Sequence, residues 1–115
     1  MKKILLLLST FIALSVSATN VTTTSTANYI VGTNAPYNAL TPGDTLFITP
    51  GLRTQLQIRS IVGSSAHPIV IINGGGVVNI SPGGSYGIKL AGCRYVKLTG
   101  TGTADKYGFS VAMLD

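Results

Sequence analysis

Between residues 44 and 98 the chain runs as short β-branched segments, each broken by Gly, Pro or Ser. The apolar residue of each segment falls on an even number: Leu46 and Ile48, Leu56 and Ile58, Val70 and Ile72, Val78 and Ile80, Ile88 and Leu90, Val96 and Leu98. Period-two alternation makes strands with one buried face. Strands this short, returning at near-regular spacing in one phase, suit a coil laid on itself better than a sandwich. The expected fold is all-β: a right-handed parallel β-helix, a solenoid of about three incomplete coils, with those apolar residues inside. An antiparallel sandwich would also give short alternating strands, but its two-residue hairpin turns are scarce here. Hairpin pairing between 68–73 and 77–81 would mark that alternative. No stretch of helical period follows residue 18, which argues against a βαβ fold.

The first segment does not belong to this pattern. Lys2 and Lys3 precede an apolar run from Ile4 to Val16, and Val16-Ser17-Ala18 places small residues where a signal peptidase cuts. The run is shorter than the roughly 20 apolar residues of a membrane span, so cleavage after Ala18 is expected rather than an uncleaved anchor. Residues 1–18 then read as a signal peptide, and the protein as secreted, at the cell surface or periplasmic, with no membrane attachment once the signal is removed. Loss of Lys2 and Lys3 lowers the formal net charge of +5 by two, to +3. That charge is not clustered, which excludes nucleic acid as an expected partner. The single cysteine, Cys93, has no internal disulfide partner.

Residues 19–40 read as a polar leader and N-terminal cap, with 28–32 as a capping strand, and residues 41–115 as the coils. Pro50-Gly51, the triple glycine 74–76, Pro82-Gly-Gly and Ala91-Gly-Cys93 are turn chemistry between strands. Three columns of recurring strands are expected. Residues 45–48 recur as 69–72 and 95–98. Residues 55–58 precede 87–90, which recur as 108–111. Residues 77–80 stand in a third column with no clear partner.

The stretch 41–111 resembles the N-terminal coils of secreted right-handed parallel β-helix proteins, the pectate-lyase-like and chondroitinase-B-like group. The residues that carry the resemblance are Pro42-Gly-Asp-Thr-Leu-Phe-Ile-Thr-Pro-Gly51, Gln55-Leu-Gln-Ile58, Ala66-His-Pro-Ile-Val-Ile-Ile-Asn73 and Tyr95-Val-Lys-Leu-Thr-Gly-Thr-Gly102. Each is a structural corner or strand, so the resemblance bears on fold. The group includes polysaccharide lyases, hydrolases, adhesins and proteins without known chemistry. Its members have more coils than this chain supplies, which implies truncation at the C-terminus. An uncapped last rung around Phe109 and Val111 then invites self-association. The alternative is a complete short protein that caps itself by dimerising.

No catalytic constellation is legible. The acidic residues are Asp44, Asp105 and Asp115, with no Glu, and no two share a strand or a matched rung. Paired-carboxylate glycoside hydrolysis therefore has no site here. A calcium ion needs several clustered oxygens, so no cofactor is expected on these residues, and any Ca²⁺ site would lie on further coils. If the whole protein is an enzyme, the resemblance points to a polysaccharide lyase. His67 reads as a solvated loop residue, Cys93 as a small filler at a tight corner, and Asn73 and Asn79 as turn residues or an internal polar stack. By parity, one outward column carries Phe47, Ile69, Ile71, Tyr95 and Lys97, too apolar to stand bare. The other carries Gln57, Arg59 and Lys89, with Ser110 as an extension. Gln57, Arg59 and Lys89 are the candidate substrate-binding residues, suited to an anionic polysaccharide through charge-assisted hydrogen bonds. The bland alternative is an ordinary solvated face. Two functions follow as expectations: an exported β-helix protein engaging extracellular or periplasmic polysaccharide, as the N-terminal part of a lyase, or a noncatalytic surface, adhesive or scaffold protein.

Overall fold

A computed structural model describes residues 18–24, 27–83 and 86–112. Apart from Ala18, the expected signal peptide lies outside the described residues. Among the described residues ten short strands follow in chain order: β1 (Asn20–Thr22), β2 (Tyr29–Val31), β3 (Thr45–Ile48), β4 (Gly51–Arg53), β5 (Leu56–Arg59), β6 (Ile69–Asn73), β7 (Val78–Ile80), β8 (Ile88–Ala91), β9 (Val96–Thr99) and β10 (Phe109–Val111). The only helix among the described residues is a single 3-10 turn, Tyr37–Ala39.

Every strand pairing is parallel. Three sheets result: sheet A in the order β1-β3-β6-β9, sheet B in the order β2-β5-β8, and sheet C in the order β4-β7-β10. From β3 onward the chain visits A, C, B and returns to A, so each circuit lays one strand on each wall. The protein is a parallel β-solenoid of about three turns. The stretches 68–73 and 77–81 do not form a hairpin; β6 pairs β3 and β9, whereas β7 pairs β4 and β10.

The core follows the even-number phase in β3, β5 and β7, where Leu46, Ile48, Leu56, Ile58, Val78 and Ile80 are buried. In β6 the phase reverses. Ile69 and Ile71, expected outside, are buried, and Val70 and Ile72, expected inside, are half-buried on the outer face. The reason is that 69–72 is apolar on both faces, so its own periodicity cannot choose a side. The choice is made by register: the Val70 N–H donates to the Asp44 carbonyl, and Thr45 pairs with Val70 and Leu46 with Ile71. The expected matches were one residue short, pairing 45 with 69 and 69 with 95; the observed partners are Thr45 with Val70 and Ile69 with Val96.

Two other column assignments are corrected. Residues 87–90 and 108–111 do not recur as one column, because β8 belongs to sheet B and β10 to sheet C. The partners missing for β7 are β10 and β4, a strand hidden in Gly51-Leu-Arg53, where one apolar residue carries no alternation to read.

The two ends of the solenoid differ. Ile88, Leu90, Val96, Leu98, Phe109 and Val111 pair with inward residues of the preceding coil, so they too point inward. They belong to the edge strands of their sheets. Leu90, Leu98 and Val111 are accordingly exposed, and Ile88, Val96 and Phe109 only partly buried against the core. At the other end Ile30 is fully buried although β2 is an edge strand, with Tyr37 and Leu40 in the same cluster. Arg53 is buried there as well, its Nε donating to the Ala27 carbonyl at 3.0 Å and its Nη1 to the Thr49 carbonyl at 2.9 Å.

The corners are tight. After sheet B the chain turns through Gly32, Ser60 and Gly92 in successive coils, Gly32 N–H donating to the Arg59 carbonyl and Ser60 N–H to the Ala91 carbonyl. Ser60 and Gly92 adopt left-handed φ values of 59° and 65°. Gly32 is required for space instead: a Cβ there would lie 2.1 Å from the Ser60 carbonyl oxygen. Asn73 is fully buried at the corner between sheets A and C. Its Nδ2 donates to the Gly76 carbonyl, and its Oδ1 accepts from Gly102 N–H, both at 2.8 Å. Asn79 is exposed, so the two do not stack.

Candidate functional site on the outer face of sheet B

Alternation puts Leu56 and Ile58 of β5 in the core and Gln57 and Arg59 outside. Parallel register then builds two outward columns. Tyr29 pairs with Gln57 and Gln57 with Lys89; Val31 pairs with Arg59 and Arg59 with Ala91. The three residues expected to form a binding face are therefore brought together, Gln57 and Lys89 on adjacent rungs and Arg59 two residues along the strand. Ser110 is not among them. It lies in sheet C opposite Asn79, because β10 is a strand of that wall.

Gln57 faces outward yet is only 3% exposed. With its oxygen assigned toward Arg59, the orientation its neighbours require, the amide accepts from Arg59 Nε at 2.8 Å and Nη2 at 2.7 Å, and its nitrogen donates to the Tyr86 hydroxyl at 3.2 Å. Two donors on one oxygen fix the guanidinium plane. Its head stays exposed, and Val31 and Ala91, the side chains before and after it in the column, are short. Lys89 carries its ammonium over the Tyr86 ring, 5.3 Å from the centroid, a cation–π geometry that holds a charge without burying it. On the other side Gln55 Nε2 donates to the Tyr29 hydroxyl, and Tyr29 as a whole is 59% exposed. Tyr29, Val31, Gln57 and Arg59 line an open hollow of about 260 Å³.

The electrostatics of this face are one-sided. Asp44 lies in the turn before β3, buried, its Oδ1 accepting from Thr19 N–H and its Oδ2 from the Thr41 N–H and hydroxyl. Burial pushes its carboxyl up, but the bonds from the Thr41 and Thr19 amides and the Thr41 hydroxyl outweigh that and hold it below its ordinary value. Asp105 sits in the loop between β9 and β10, accepting from the Thr103 hydroxyl. Neither carboxylate is on sheet B, so an anion approaching Arg59 and Lys89 meets no fixed negative charge among the described residues. Among those residues no cluster of three His, Cys, Asp or Glu side chains is placed to hold a metal.

Sequence reading missed Tyr29, Gln55, Val31 and Tyr86. Tyr29 and Val31 were legible in principle, since Ile30 between them is apolar and β2 would align with β5 once treated as a rung rather than a cap. Tyr86 precedes its strand at a turn, outside any periodic signal. The other expected surfaces fare differently. Ile69 and Ile71 leave the outer face of sheet A, as described above, and Phe47, Val70 and Ile72 are half-buried on it beside exposed Lys97. Tyr95 is exposed in a left-handed turn before β9. His67 is exposed in its loop, and Cys93 packs against the core with Sγ facing the Ile58 carbonyl at 3.5 Å.

Comparison with family models, with curated proteins and with solved structures finds no match to this chain.

Proposed function

We propose that this protein is an exported β-solenoid that engages extracellular or periplasmic polysaccharide through the outer face of sheet B, in the manner of the N-terminal coils of pectate-lyase-like proteins. The observation that carries the reading is the joined set Tyr29, Gln57, Arg59, Tyr86 and Lys89: an exposed aromatic ring, an amide that fixes a guanidinium, and a second cation on the next rung. Aromatic rings offer apolar area with little entropy to lose, and a fixed guanidinium supplies charge-assisted hydrogen bonds. Export is the part supported by the N-terminal sequence, Lys2 to Ala18. Among the described residues no helix is long and apolar enough to cross a membrane. The role proposed for these coils is binding rather than turnover, since Asp44 and Asp105 lie on other parts of the solenoid and are engaged in hydrogen bonds of their own.

The test is affinity electrophoresis of the protein through gels containing neutral or acidic polysaccharides, at low and high salt. Retention by at least one polymer at low salt is expected, falling as the Debye length shrinks below about 10 Å. It should be lost in the double variant Arg59→Ala with Lys89→Ala. Absence of retention on every polymer at low salt, or retention unchanged in the double variant, would overturn the reading.

A further inference from the structure

We propose that cleavage of the Ala18–Thr19 bond makes one half of a structural ion pair: the new α-ammonium group of Thr19 locks onto the buried carboxylate of Asp44, so that the processed chain is held by a contact its precursor does not have. This lock rests on the export reading above and not on the polysaccharide one.

The position of the new terminus comes first. Val16-Ser17-Ala18 places the expected cut before Thr19. The bonding of sheet A starts at that residue. Thr19 N–H donates to Asp44 Oδ1 at 2.8 Å, and the Thr19 carbonyl accepts from Thr45 N–H at 3.3 Å. Asn20 then pairs with Thr45 and Val21 with Leu46, and Val21 is buried in the core. Thr19 is thus clamped through both of its backbone polar groups. Ala18 and Thr19 are both exposed, so the bond between them is open to attack.

Asp44 supplies the other half. It is buried, and the donors that hold it, the Thr19 and Thr41 N–H groups and the Thr41 hydroxyl, are all neutral. Those bonds keep its carboxyl below the ordinary value, so it is ionised at neutral pH. A buried carboxylate is ordinarily paired with a cation. Hydrolysis creates one at the atom already in contact. Water adds across the amide, Ala18 leaves with the carboxylate, and the Thr19 nitrogen becomes an amine that takes up a proton, its ordinary value being about 7.7–8.0. The nitrogen need not move, because 2.8 Å is already the length of an N⁺–H···O⁻ contact. A chain that began at Ala18 would carry its charge roughly 3.8 Å further out, in solvent, where it is screened. The lock is therefore specific to one cleavage position.

The experiment exports the whole chain with its own N-terminal sequence and reads the product's N-terminus by mass spectrometry. That product is then compared with a chain starting at Ala18, released from a cleavable fusion, each with Asp44 and with Asp44→Asn. The exported product should start at Thr19. Its α-amino group, followed by NMR, should titrate above the ordinary range of about 7.7–8.0, and that of the Ala18 start within it. His67 is the other titratable side chain beside this turn, next to Gly43, and as a cation it would lower the amine's value rather than raise it. The Thr19 start should exceed the Ala18 start by about tenfold in the folding equilibrium constant, or about 5–10 °C in Tm, and the difference should vanish in Asp44→Asn. The amine titration needs no substitution, so it decides the matter even where Asp44→Asn does not fold. An unprocessed chain overturns the export reading and the lock together. Processing at another bond, a Thr19 amine that titrates in the ordinary range, or a Tm difference that persists in Asp44→Asn overturns the lock and leaves export standing.

Discussion

Ile71 and Ile72 are neighbours with opposite fates, and truncating each in turn tests the register that places every outward residue. Ile71 points inward between Leu46 and Leu98 and is fully buried; Ile72 points outward between Phe47 and Thr99 and is half-buried. Replacing Ile by Ala removes three methyl or methylene groups, about 0.8 kcal/mol each when fully buried, or about 2.4 kcal/mol of transfer free energy. A cavity adds to that at Ile71, because three walls of strands surround it and cannot all collapse. The expected loss is about 3–4 kcal/mol, within the range seen for buried Ile or Leu to Ala. At Ile72 the transfer contribution is roughly halved and solvent fills the space, so about 1 kcal/mol is expected. At about 4–8 °C per kcal/mol for a domain of this size, Ile71→Ala should lower Tm by about 20 °C and Ile72→Ala by about 6 °C. Guanidinium unfolding followed by far-UV circular dichroism gives the same comparison through the midpoint at constant slope. Ile72→Thr should be close to neutral, as threonine suits an outer strand position, whereas Ile71→Thr buries a hydroxyl and should cost more than the alanine change does at Ile72. Equal losses, or a larger loss at Ile72, would refute the inward placement of Ile71 and with it the pairing of Thr45 with Val70.

Two further outcomes concern the corners and pH. The carboxyl of Asp44 is held below its ordinary value in the folded protein, so its contribution to stability is complete above the unfolded carboxylate value of about 3.9 and is lost as pH falls through the lower folded value. Tm measured from pH 6 down to pH 2.5 should therefore decline less steeply in Asp44→Asn, which should also be roughly 1–3 kcal/mol less stable at pH 7 because its amide faces the Thr41 and Thr19 donors; an unaltered acid limb would refute this. Gly32→Ala should cost roughly 3 kcal/mol or more, since its Cβ would strike the Ser60 carbonyl, whereas Gly92→Ala, whose Cβ would make only ordinary van der Waals contact with Ser60 and has a left-handed φ to maintain, should cost about 1 kcal/mol; urea midpoints in the reverse order would contradict the stacking of this corner.

The solenoid was legible because its inward residues repeat. Leu46 and Ile48, Leu56 and Ile58, and Val78 and Ile80 carry the period-two signal, and Gly and Pro mark the corners between them. What the sequence left open was the number of residues each corner consumes. Parity survives a corner only if the register advances by an even count, and the odd advance from Thr45 to Val70 turned β6 over. Its four successive apolar side chains concealed the reversal. Short strands were hidden for a related reason: Gly51-Leu-Arg53 turns its lone apolar residue, Leu52, to solvent and buries Arg53, the inverse of the ordinary pattern.

The site was less legible than the fold because outward residues of a solenoid need no periodicity. Each must only avoid disrupting a strand, so chemistry there is specified by which rung lies beside which. Gln57 and Arg59 were visible as polar residues within one strand, and Lys89 as a cation on another. Their joint meaning depends on the pairing of β5 with both β2 and β8. That pairing brings Tyr29, read from sequence as part of a cap, to within one rung of Gln57, and it leaves Arg59 flanked by Val31 and Ala91. A long side chain at position 31 or 91 would preserve the fold and close the space before the guanidinium. The short residues at those two positions thus bear on the proposed binding face in a way that composition and alternation cannot express, and the register is what makes it readable.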